Sequence, residues 1–79
     1  MLPEQSRAGR AWLDWSQEEL AAKASVSLST VRDFEKGRRI PIANNLAAMK
    51  AALEAQGIGF VDSGKTCGIT YIEPESMIL

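Results

Sequence analysis

The sequence has no histidine and a single cysteine, Cys67, among its 79 residues. With no second thiol there is no internal disulfide, and Cys67 reads as an unpaired thiol in a reducing cytosol. Without histidine there is no Ser-His or Cys-His pair to activate a nucleophile, and no ligand set for a zinc site. Non-enzymatic function follows, with no catalytic, metal or cofactor site. Long apolar runs are absent too. Nothing approaches the roughly 20 residues of a membrane span, and the N-terminus lacks the charged and apolar segments of a signal peptide. No internal repeat or low-complexity tract is present. What remains is 46% hydrophobic and 24% charged, ordinary for one small folded domain and against disorder over most of its length.

A net charge of −1 and a pI near 5.3 argue against a nucleic-acid partner until the chain is divided. Up to Lys50, eight basic residues face six acidic ones, giving +2; beyond it Lys65 alone faces four acids, giving −3. Arg32, Lys36, Arg38 and Arg39 crowd into one short stretch. Local charge rather than the total decides whether a face can neutralise phosphates.

Texture changes along the chain in the same way. Residues 3–56 carry helix-forming residues with apolar positions at helical spacing, whereas residues 57–72 favour strands and turns. A first helix is expected from near Pro3, suited to a first helical position, to near Leu13. Ser16 with Glu19 forms a capping box, and Trp15 with Leu20 a hydrophobic staple, so a second helix runs from about Gln17 to Lys23 and buries Leu20, Ala21 and Ala24. Ser27 caps a third helix to about Lys36, with Val31 and Phe34 inward and Gly37 ending it. A fourth, from Ala43 or Asn44 to Gln56, carries Leu46, Met49 and Leu53 at core spacing. Trp12 and Trp15 are expected as core and staple residues. The smooth side formed by Ala47, Ala48, Ala51 and Ala52 suggests close packing on the hairpin or on a second subunit. Ile58–Val61 and Ile69–Ile72 then make a β-hairpin, and Glu73–Leu79 form a tail without regular structure.

Two short helices about three residues apart, each with its own cap, outline a helix-turn-helix. The stretch QEELAAKASVSLSTVRDFEKGRRIP, with Gln17, Leu20-Ala21, Val26, Glu35-Lys36-Gly37 and Pro41, resembles the Cro/C1-type (XRE) repressor family from about Arg10 to Leu53. The resemblance implies a mainly α, lambda-repressor-like domain of about four helices over residues 1–56; the hairpin and tail of residues 57–79 lie outside the resemblance and are expected to join the same compact unit. Where the family often has glycine in the turn, Ser25 stands here, at a cost of about 1 kcal/mol if it is forced left-handed.

By position, the resemblance sets Ser27, Leu28, Ser29, Arg32 and Asp33 against base edges in the major groove. Arg32 suits guanine O6/N7, Leu28 a thymine methyl, and Asp33 either cytosine N4 or the task of holding Arg32. Gln17, Thr30, Arg38 and Arg39 would contact phosphates, and Arg10 would pair with Glu35 as a structural link. Simpler roles compete: Ser16 and Ser27 are helix caps first, and the alternatives are a surface leucine for Leu28 and a solvated loop for Arg38 and Arg39. Double-stranded DNA is the implied partner, bound as a homodimer to which the hairpin and fourth helix contribute. The alternative is an antitoxin-like or coactivator-like module that holds a protein such as a toxin.

One motif points elsewhere. Gly59–Thr66, GFVDSGKT, fits the G-x-x-x-x-G-K-[ST] pattern of a phosphate-binding loop. Such a loop needs a strand before it and a helix after it, and here a strand-forming segment follows. The motif reads instead as a hairpin loop, with Asp62, Ser63 and Gly64 turning and Lys65 in solvent.

Overall fold

Helix ends are fixed by local hydrogen bonds that the sequence announces. The computed structural model describes residues 1–74 and gives α1 Pro3–Leu13, α2 Gln17–Ala24, α3 Leu28–Glu35, α4 Ala43–Glu54, β1 Ile58–Ser63 and β2 Thr66–Tyr71. Ser16 Oγ accepts from the Glu19 amide at 3.0 Å while Glu19 Oε1 accepts from the Ser16 amide at 2.8 Å, a complete capping box. Ser27 Oγ accepts from the Thr30 amide at 3.2 Å and starts α3. At the other end of α3, Gly37 (φ +74°) donates to Phe34 and Arg38 donates to Asp33, both at 2.9 Å, which is the Schellman pattern. The last five residues of the expected tail lie outside the described residues.

The same C-terminal pattern ends α1 and α2 without glycine. Asp14 (φ 60°) and Ser25 (φ 57°) occupy the left-handed region, and Trp15 and Val26 donate back to Arg10 and Ala21. An L-residue there costs about 1–2 kcal/mol relative to the right-handed region. Ser25 is exposed and its side chain makes no hydrogen bond. Ser25→Gly is therefore expected to stabilise the domain by about 0.5–1 kcal/mol, part of the gain being offset by glycine's larger unfolded-state entropy. Thermal melting checks this as a rise of a few degrees.

Leu20, Ala21, Ala24, Val31, Phe34, Met49, Leu53 and Ile58 form one buried cluster, with Leu13, Trp15, Val26, Leu46, Phe60 and Ile69 packed around it. Each large apolar side chain so buried contributes about 1.5–3 kcal/mol. Of the alanine side of α4, Ala48 and Ala52 pack on this cluster, whereas Ala47 and Ala51 stay exposed.

The hairpin runs further toward its tip than the sequence suggests, by two residues on β1 and three on β2, and β2 ends at Tyr71 rather than Ile72. Asp62 pairs with Cys67 and Ser63 with Thr66, so Asp62 and Ser63 belong to β1 and the turn is Gly64-Lys65 alone. Gly64 has φ +63° and Lys65 a negative φ, the type II′ pattern whose twist matches the flanking strands and lets them pair to the tip. Past Tyr71, the Ile72 amide still donates to Gly57 at 2.9 Å. Gly57 (φ +102°) has no room for a side chain: a Cβ would lie 2.2 Å from the Ile72 carbonyl oxygen.

The hairpin packs on α4 through β1, as expected, and in addition on α1 through β2. Gln5 on α1 clasps it, its Nε2 donating to Val61 O at 3.0 Å and Gly68 O at 2.8 Å while its Oε1 accepts from the Leu2 amide at 2.7 Å. Trp12 is not in the core. It is 60% exposed, with its ring centroid 5.3 Å from that of Tyr71. Two turns separate Trp12 from Gln5, so both point toward β2, and a sheet of two strands is too narrow to cover the indole.

Candidate nucleic-acid interface

The orientation of α3 is set by a carboxylate at its last residue. Glu35 is 2% exposed. Arg10 grips it with Nε at 2.8 Å from Oε2 and Nη2 at 2.6 Å from Oε1, and Arg10 Nη1 donates to Trp15 O at 3.0 Å. Ser6 Oγ donates to Glu35 Oε2 at 2.6 Å and Gln17 Nε2 to Oε1 at 3.1 Å. The Glu35 backbone carbonyl accepts from Arg7 Nη1. One carboxylate thus joins α1, the start of α2 and the end of α3. Burial raises its pKa, but the bonds from Arg10, Ser6 and Gln17, with the Arg10 charge, outweigh that and hold it below the ordinary carboxylate value.

With Val31, Phe34 and Glu35 turned inward, α3 presents Leu28, Ser29, Arg32, Asp33 and Lys36 on its other side. Arg32, Lys36, Arg38 and Arg39 are exposed. Among the described residues the one ion pair is Arg10–Glu35, so these four cations carry no carboxylate partner there. Asp33 is half-buried and does not pair with Arg32. A groove of about 200 Å³ runs from α3 to the start of α4, lined by Ser29, Thr30, Asp33, Arg39, Pro41 and Asn45 and flanked by the exposed Ile40 and Ile42.

This groove brings together four of the residues assigned by sequence: Ser29, Thr30, Asp33 and Arg39. Leu28 and Arg32 lie on the adjoining exposed side of α3, and Arg38 beside them in the connection Gly37–Ile42. Ser27 Oγ lies 2.8 Å from Thr30 Oγ1 and 3.1 Å from Ser29 Oγ in addition to capping α3, so its hydroxyl is already engaged. Gln17 spends its amide nitrogen on Glu35. Ser6 and Gln5 had no sequence signal beyond their place in a helix, yet both are buried, and Ser6 completes the shell of Glu35.

GFVDSGKT lies along β1, the turn and the first residue of β2. Lys65 is exposed at the turn, and Thr66 opens a strand where a phosphate loop would open a helix.

A family model described as helix-turn-helix matches residues 7–56, from α1 to just past α4. A search of the curated proteins found no match.

Proposed function

Because the chain belongs to the Cro/C1-type helix-turn-helix family, which implies DNA as a partner and transcriptional regulation as its role, we propose that it is a sequence-specific repressor. It docks α3 in the major groove and recognises a pseudo-palindromic operator as a homodimer whose two recognition helices lie about one turn of DNA apart, roughly 34 Å. It acts in the cytoplasm and catalyses nothing; no helix among the described residues is long and apolar enough to cross a membrane.

The observation that carries this reading is the unpaired cationic edge of α3, held in place by Glu35. Arg32 reads guanine, Leu28 and Ser29 contact neighbouring base edges, and Ser27 meets the DNA at the start of α3 while its hydroxyl stays on the helix cap. Asp33, free of Arg32, accepts from cytosine. Thr30, Arg38 and Arg39 bind phosphates, and Gln17 does so through its backbone N–H at the first turn of α2. The same fold serves protein-interaction modules, and the apolar groups exposed beside β2 give an antitoxin-like reading its surface.

A gel shift on the DNA upstream of the chain's own gene tests the repressor reading. Arg32→Ala is expected to weaken specific binding by about 1–3 kcal/mol, roughly 5- to 150-fold, and to relax preference at one base position. Because Arg32 is exposed and has no ion-pair partner among the described residues, its removal is expected to leave the melting temperature in place. Unchanged affinity and preference would reject this mode of reading and favour the protein-interaction role.

A further inference from the structure

The connection between α3 and α4 carries two large apolar side chains that the fold leaves uncovered. Ile40 is 81% exposed, more than any other large apolar residue described, and Ile42 is 69% exposed. Pro41 between them is buried. Proline fixes its own φ and holds the residue before it extended, and Ile42 is extended too, with φ −58° and ψ 154°. Alternate residues of an extended chain face the same way, so Ile40 and Ile42 project together while Pro41 anchors them. The result is a short, rigid apolar ridge. Charge indicates what it meets. Arg38 and Arg39 precede the ridge, Arg32 and Lys36 lie on the adjoining side of α3, and none of the four has an ion-pair partner among the described residues. The groove that the ridge flanks holds one acid, Asp33, on its α3 side. An apolar protein surface seated here would cover those cations without a counter-charge, at a cost in desolvation. A polyanion with apolar surface between its charges matches both features. Duplex DNA is such a polymer, each phosphate being joined to a deoxyribose whose carbon-bound hydrogens edge the minor groove.

We propose that Ile40 and Ile42 pack on deoxyribose at the lip of the minor groove, beside the phosphates held by Arg38 and Arg39, and supply a part of the affinity that salt does not weaken. The contact presupposes α3 docked in the major groove, as proposed above, and lies outside that groove. Lengths place it there. The eight residues of α3 make a helix about 12 Å long, which matches the roughly 12 Å width of the major groove. With the start of α3 at base edges, the chain leaving its end arrives at the sugar-phosphate backbone that bounds the groove. Arg38 and Arg39 are the first long side chains there. From Arg39 to Ile42 the chain spans at most about 10 Å, enough to cross the backbone to the adjoining sugars and no further. A phosphate contact releases counterions and fades as salt rises. An apolar contact releases none, and its strength follows the area removed from water.

Fluorescence anisotropy of the full chain on the upstream duplex of the gel shift, across a salt series, separates this contact from those of the arginines. Ile40→Ala/Ile42→Ala is expected to lower the association constant about 10- to 100-fold at every salt concentration, with the slope of log K against log salt unchanged. Arg38→Ala/Arg39→Ala changes the slope instead. Hydroxyl-radical footprinting reads the location, because the radical attacks deoxyribose hydrogens exposed along the minor groove. The wild type is expected to protect sugars beside each half-site that the double variant leaves open. Both isoleucines are exposed, so the variant is expected to melt with the wild type. Should it lose its fold, Ile40→Ala alone carries the same test with a smaller shift. An affinity within about twofold of wild type at every salt concentration, or an unchanged footprint, overturns the proposal and leaves the ridge to a protein partner. Arg32-dependent binding in that case keeps the repressor reading standing. A wild type that binds no duplex specifically rejects the docking of α3, and this contact with it.

Discussion

Arg10→Ala is expected to cost about 3–5 kcal/mol, because it leaves the Glu35 carboxylate buried without its cation. A domain of this size has about 4–12 kcal/mol of stability in total, so the variant is expected to be partly unfolded at 37 °C and lost in mild denaturant. The cost follows from geometry. Arg10 supplies three N–H contacts to Glu35 and a fourth to Trp15 O; the other donors to the carboxylate, Ser6 and Gln17, carry no charge, and Arg7 is bonded to the backbone carbonyl instead. In the wild type the folded-state pKa of Glu35 lies below its unfolded value. Its contribution is therefore complete above the ordinary carboxylate pKa of about 4.3 and is lost as pH falls through the lower folded value. In Arg10→Ala the sign reverses: burial now dominates, the folded pKa rises, and the variant recovers relative stability as acid protonates Glu35. Urea titrations of both proteins between neutral and acid pH check this, the expected result being a deficit that narrows toward low pH. A deficit below 1 kcal/mol, or one independent of pH, contradicts the role given to the pair.

Operator affinity is expected to fall about a hundredfold between 50 and 200 mM salt. On the proposed dimer, Arg38 and Arg39 on each side of the two-fold would neutralise about four phosphates, each contributing a slope of about −0.9 in log K against log salt. Arg38→Ala/Arg39→Ala is expected to abolish most of that slope and to weaken specific and non-specific DNA alike, because phosphate contacts position the protein without reading sequence. Arg32→Ala has the opposite profile: it narrows the gap between specific and non-specific DNA. Fluorescence anisotropy with one operator and one scrambled duplex across a salt series separates the two classes of arginine. A double variant with an unchanged slope would remove Arg38 and Arg39 from the phosphate contacts.

Much of the frame was legible because it is encoded locally. Ser16 with Glu19, Ser27, and Gly37 with Pro41 announce helix ends through bonds spanning three to six residues, and those ends stand as read to within one or two positions. Leu20, Val31, Phe34, Met49 and Leu53 declare the core through spacing alone. What escaped depends on residues distant in sequence. Ser6 lies 29 residues from Glu35, and Gln5 reaches carbonyls 56 and 63 residues away. Nothing in a short window distinguishes such a serine or glutamine from an ordinary solvated helix residue. Trp12 was misplaced for a related reason, since its exposure follows from the width of the sheet opposite. Within the candidate interface, the exposure of Arg32, Arg38 and Arg39 was legible from charge and spacing, whereas the engagement of Gln17 and Ser27 by other side chains required the folded geometry.

The central claim is that α3 reads DNA through Arg32 from a frame fixed by Glu35. Selection from random duplex DNA, run in parallel with the wild type and Arg32→Ala, tests it most directly. The account predicts a two-fold related site for the wild type, half-sites about one helical turn apart, and loss of preference at one symmetric guanine position in the variant. No enriched sequence, or the same site enriched equally by both proteins, would contradict it.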